Sequence, residues 1–135
     1  EQLDMPVVGP ETAEGHIQTR AEWIVRKASD ISRAGVGDLG GITPVMKAVH
    51  LAEAFGVRLE VHGGGAGNLQ ALGAMGIQGE YYERGLLHPF IDYDQPPAYL
   101  HAIIDPLDKE GYVHMPKGPG LGQEIDFDYI KKHLA

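Results

Sequence analysis

The chain is 135 residues long, 43% hydrophobic and 22% charged, a composition that fits one globular domain and excludes a disordered segment. Its formal net charge of −8, with no basic cluster, argues against nucleic acid and anionic membrane as partners. It contains no cysteine, which excludes disulfides, thiolate metal sites and thiol nucleophiles and is expected of a cytoplasmic protein.

Met5 to Val8 reads as a short strand that stops at Gly9-Pro10, with Glu11 directly after it. Ile17, Ala21, Ile24 and Ala28 recur at helical spacing and predict an amphipathic helix over about 17–28. Asp30 to Ala34 is a weaker strand, running into Gly35. Thr43 suits an N-cap and Pro44 a first helical position, with Val45, Val49, Ala52 and Phe55 on one face and Gly56 as the stop. Val57 to His62 reads as a strand that ends at Gly63-Gly64-Gly65. A short helix follows from about Asn68 to Met75, and Glu80 to Glu83 is the last strand, rich in aromatic β-formers. Beyond residue 88, prolines at 89, 96, 97, 106, 116 and 119 break the pattern. Tyr112 to Met115 is expected to be extended, and Ile125 to Leu134 to close with a short helix. No apolar run approaches the roughly 20 residues of a membrane span, and no signal-peptide pattern is present.

Strands alternating with helices predict an α/β fold with parallel pairing. In such folds the chemistry sits at the C-terminal ends of the strands. The polar residues at those ends are Glu11, Asp38 (beyond Gly35), His62 and Glu83. Taken singly, each has a plainer reading: a loop glutamate is usually a solvated charge, and a strand-end histidine a hydrogen-bonded structural group. His16 and Arg20, just after Glu11, are candidate substrate contacts, with a solvated helix face as the plainer reading. Gly63 to Gly67 before a helix could cradle a phosphate, but it lacks a Walker lysine and full dinucleotide spacing. His88, His101 and His114 show no metal-ligand spacing.

Asp30-Ile31, Gly40-Gly41-Ile42-Thr43-Pro44, Phe55-Gly56, Val61-His62-Gly63, Tyr82-Glu83 and the closing Pro119-Gly120-Leu121-Gly122 with Asp126 together resemble the mandelate racemase and muconate lactonizing enzyme branch of the enolase superfamily. The resemblance covers nearly the whole chain. It implies the C-terminal half of a (β/α)7β TIM-like barrel with a C-terminal wrapping segment: residues 1–88 would hold the last four strands, and 89–135 an extension packing back on them. It also implies a Mg²⁺-dependent enzyme that abstracts the proton alpha to a carboxylate, with Glu11 as one metal ligand, His62 as general base or acid and Glu83 as stabiliser of the enolate. A dehydratase of acid sugars is the expected activity, with racemase or cycloisomerase next. Catalysis of this kind needs a base of modest pKa and strong charge stabilisation of the enolate.

Two departures from the family pattern stand out. The aspartate that orients the histidine falls on Gly35, so either Asp38 takes that role from a shifted loop or His62 lacks its partner. The barrel's first half is also absent, and with it the lysine pair and two of three metal ligands. The isolated chain is therefore expected to be inactive and to bind Mg²⁺ weakly or not at all. Its partners would be the missing N-terminal half or another copy of the chain, a homo-oligomer, and a small carboxylate or acid-sugar substrate. Two rival readings are a non-catalytic half barrel serving as a dimeric or partner-binding module, and a flavodoxin-like domain holding a phosphorylated ligand at the glycine loop.

Overall fold

The computed structural model describes residues 3–12, 16–76, 81–85 and 88–134. Its elements in chain order are α1 (His16–Arg26), β1 (Ile31–Ala34), α2 (Val36–Leu39), α3 (Ile42–Ala54), β2 (Arg58–Val61), α4 (Ala66–Ala74) and α5 (Phe127–Lys132). β1 and β2 pair in parallel, Arg33 opposite Glu60 and Ala34 opposite Val61. The Met5–Val8 run adds a third line beside β1. It is reduced to one parallel bridge between Val8 and Ile31, with the Gly9 N–H donating to the Ile31 carbonyl and the Ile31 N–H to that of Val7.

The two faces of the sheet differ by residue type, as a period of two requires. Ser32, Ala34, Leu59 and Val61 are buried on one face, where the aliphatic residues join Ile24 of α1, Val45, Ala48 and Ala52 of α3, and Ala71 and Leu72 of α4. Burying each of the larger aliphatic side chains contributes about 1.5–3 kcal/mol. The opposite face carries Arg33 and Glu60, a charged pair in register. That face looks toward the site.

Several boundaries differ from the sequence reading. α3 starts at Ile42 with Gly41, not Thr43, as its cap, because Gly41 takes φ 138 where an L side chain is strained. Val36–Leu39 forms a one-turn helix where a loop was expected. Residues 81–85 carry no strand assignment, and Glu80 lies outside the described residues. The helix ending at Arg26 and the stop at Gly56, φ 66, follow the periodicity.

From residue 88 to α5 the chain runs mainly as turns and irregular segments, with antiparallel bridges Leu100 to Ile125 and Leu107 to Val113. Arg84 ties back to it, donating to the Tyr93 carbonyl at 2.9 Å and pairing with Asp94 at 2.7 Å. Among the described residues no helix is long and apolar enough to cross a membrane.

Candidate active site

Glu11 lies just past the first extended run, Asp38 in α2, His62 in the first position beyond β2, and Glu83 in the extended segment 81–85. The fold brings all four to one end of the sheet. His62 Nδ1 is 2.7 Å from Asp38 Oδ2, and His62 Nε2 is 3.2 Å from Glu11 Oε1. A carboxylate oxygen only accepts, so the Asp38 contact places the hydrogen on Nδ1. Glu83 Oε2 accepts from the Gly63 N–H at 2.7 Å and from Arg33 Nη2 at 2.6 Å. The imidazole and the Asp38 carboxyl are largely covered, at 20% and 17% exposure, whereas Glu11 is half open at 52%.

Gly35 explains why the aspartate sits in α2. A Cβ at residue 35 would stand 2.5 Å from the His62 carbonyl oxygen and 2.8 Å from Asp38 Oδ2. Real side chains do not make such approaches, so the space at the strand end is already filled by the His62 carbonyl and the Asp38 carboxylate. Of the two alternatives left open by the sequence, the structure has Asp38 beside His62.

Asn68 holds this arrangement from behind. It is 8% exposed. Its Oδ1 accepts from the Val36 N–H that opens α2, and its Nδ2 donates to the His62 and Gly64 carbonyls at 2.9 and 3.0 Å. One amide therefore sets both the helix that carries Asp38 and the backbone of His62. Sequence reasoning took Asn68 only as a helix start. A polar residue among the buried apolar ones of α4 was the signal available.

Arg20 is corrected by the structure. It is fully buried, and its guanidinium donates to the backbone carbonyls of Glu11, His16 and Arg33. Burial pushes its pKa down, opposed by the charge of Asp38. It clamps backbone around the Glu11 segment and has no surface to offer a sugar. His16 opens α1 with a positive φ of 48 and is exposed; among the described residues no contact joins its side chain to the cluster. The phosphate reading of the glycine loop is also replaced: the Gly63 N–H serves Glu83, and the Gly65 N–H donates to the Tyr82 hydroxyl at 2.7 Å.

The donor set for a metal is incomplete. Glu11 is a hard oxygen donor suited to a divalent ion, but among the described residues no group of three His, Asp or Glu could hold one.

A model of the enolase C-terminal domain-like family matches residues 1–129. The chain belongs to the enolase superfamily. It is similar to a D-galactonate dehydratase family member from Enterocloster bolteae, 30% identical over 121 residues that make up 85% of this chain and 29% of the relative. It is also similar to a D-galactarolactone cycloisomerase from Agrobacterium fabrum, 31% identical, covering 93% of this chain and 35% of the relative. The crystal structure of D-glucarate dehydratase from Agrobacterium tumefaciens complexed with magnesium superposes with a TM-score of 0.88 at 54% identity, covering 96% of this chain and 34% of that one. The chain thus spans about a third of the proteins it matches, and its α/β fold is the C-terminal half of the superfamily barrel with its closing segment.

Proposed function

We propose that this chain carries the proton-transfer half of an acid-sugar dehydratase active site and works only when the rest of the barrel is supplied. The observation that carries this reading is the chain of contacts Asp38–His62–Glu11 beside Glu83, on a fold 54% identical to a D-glucarate dehydratase. Residues 1–88 would be the partial barrel and 89–135 its extension. The partner would be the remaining barrel strands, from a longer polypeptide or from another copy of the chain in a homo-oligomer.

In this reading Asp38 holds Nδ1–H and leaves Nε2 to exchange a proton with substrate. The C–H bond alpha to the carboxylate breaks, its proton passes to Nε2, and its electron pair moves into the carboxylate as an enediolate. The hydroxyl on the next carbon then departs as water, taking that proton, and leaves an enol that becomes the keto acid. Glu11 Oε1 stands 3.2 Å from Nε2, so this transfer requires Glu11 to turn aside. A Mg²⁺ ion would supply charge stabilisation to the enediolate, with Glu11 as one oxygen ligand; the described residues alone do not complete its site. Glu83, held through Oε2, has Oε1 without a hydrogen bond among the described residues and available to substrate hydroxyls.

The test is exchange of the α-proton of D-glucarate and related aldarates and aldonates in D2O, followed by NMR, in the complete enzyme. Wild type should exchange and His62→Asn should not. Full exchange in His62→Asn removes His62 from the mechanism, and no exchange or dehydration by wild type with any acid sugar removes the reading. The incomplete acid set favours a second reading, a non-catalytic module, which predicts that last outcome together with a stable complex between copies.

A further inference from the structure

The inner face of β1 carries a cation that the proton-transfer scheme does not use. Arg33 is 16% exposed and meets three glutamates from three different segments. Its Nε lies 3.2 Å from Glu11 Oε2, its Nη1 3.8 Å from Glu60 Oε2 and its Nη2 2.6 Å from Glu83 Oε2. Glu11 and Glu83 arrive from opposite ends of the described barrel segment, 72 residues apart in sequence by their numbers, and they share no direct contact among the described residues. The guanidinium is what joins them.

We propose that Arg33 is a positioning residue that sets the directions of Glu11 and Glu83 around His62. Each carboxylate is held by one oxygen and presents the other. Glu11 gives Oε2 to Arg33 and turns Oε1 to His62 Nε2; Glu83 gives Oε2 to Arg33 and to the Gly63 N–H and leaves Oε1 open. A planar fork can serve two acids in fixed directions, which the single ammonium of a lysine cannot. The Nε–H is buried without a well-aligned hydrogen bond, although Glu11 is in ion-pair range. Holding Glu11 through Oε2 alone leaves Oε1 able to swing away from Nε2, the movement that proton transfer requires. A hollow of about 220 Å³, lined by Arg33, Glu60, Val61, Tyr81, Tyr82 and Glu83, borders the guanidinium.

This inference rests on the proposed proton-transfer site, and the two can fail separately. Arg33→Lys keeps a positive charge among the three glutamates and so preserves the fold. In the complete enzyme it should lower the turnover for α-proton exchange by about 30-fold, with KM changed by less than about threefold and the unfolding midpoint unchanged. Exchange at the wild-type rate in Arg33→Lys, with His62→Asn inactive, overturns the role of Arg33 and leaves the function standing. If wild type shows no exchange at all, the function fails and the Arg33 role is read from the crystal structure of Arg33→Lys in this chain. Glu83 Oε2 moving out of hydrogen-bond reach of the Gly63 N–H supports it, and Glu83 and Glu11 remaining in place overturn it.

Discussion

At the scale of single residues, the site depends on Asp38 reaching His62 from an unexpected place. Asp38→Asn keeps the side-chain shape but removes the charge and permits the amide nitrogen to face Nδ1, which disfavours the hydrogen there. Turnover for α-proton exchange should fall by about 100-fold in the complete enzyme with little change in stability, and nitrogen-15 NMR of His62 should show the altered tautomer. Asp38→Asn at wild-type rate would mean His62 needs no orienting partner. Glu11, His62 and Glu83 were legible because each falls where an apolar run stops. Asp38 was only half legible, since Val36–Leu39 is too short to show helical periodicity and the reason for Gly35 is a neighbour 27 residues away in sequence by its number. Arg33 was not legible at all. An arginine in a four-residue strand reads as a solvated face unless the acids opposite it are known.

At the scale of elements, the helices and the parallel pair followed from apolar spacing, but their ends did not. Ends are set by local hydrogen bonds that periodicity does not contain. α5 is the clearest case: it buries no residue, and its start is fixed by Asp126 Oδ1 accepting the Tyr129 N–H at 2.8 Å. Asp126→Ala should cost about 1 kcal/mol locally, seen as faster amide exchange over 127–132 with the amides of α3 unaffected. Equal loss of protection in α3 would show that α5 unfolds with the core. The hairpin at Leu107–Val113 has a related device. The Asp108 carboxylate accepts from the Tyr112 N–H at 2.8 Å and contacts His114 Nε2 at 2.6 Å. The Tyr112 backbone bond, followed by His114, holds its pKa below the usual carboxylate range. A depressed folded pKa adds stability above the unfolded value, and that stability is lost as pH falls through the folded one. The hairpin should therefore loosen at acid pH before the core does, in amide exchange, and Asp108→Asn should remove the difference.

At the scale of the whole molecule, the segment after residue 88 is tied to the βα units by polar contacts of Gln70, Tyr82 and Arg84, and Tyr82 links it to the glycine loop. Its hydroxyl accepts from the Gly65 N–H and donates to Asp105 Oδ2, each at 2.7 Å. Burial, reinforced by the Asp105 hydrogen bond, pushes the phenol pKa well above the usual tyrosine value. A raised folded pKa gives stability that is complete below the unfolded value near 10 and declines as pH rises beyond it. Tyr82→Phe should cost about 1–2 kcal/mol at neutral pH in urea unfolding and flatten the decline above pH 10. An unchanged alkaline limb would place its cause elsewhere. A cavity of about 860 Å³ lined in part by Leu69, Leu72, Tyr82, Tyr112 and Met115 borders the same junction; that the tail packs back was expected only through the family resemblance, and its individual contacts were not legible, because turns and single bridges leave no periodic trace.

The crowding at Gly35 also constrains how this lineage can change. Restoring an aspartate at the strand end while Asp38 remains would force two carboxylates and a carbonyl into one space, at about 1–3 kcal/mol for the overlap alone. Removing Asp38 first would strip the imidazole of its orienter. Neither single step is neutral, and exchanging both leaves one obstacle in place: with Asp38 gone, the His62 carbonyl oxygen would still stand 2.5 Å from a Cβ at residue 35, so Gly35→Asp with Asp38→Gly should recover less than full activity, a mutational valley whose far side lies beyond two substitutions.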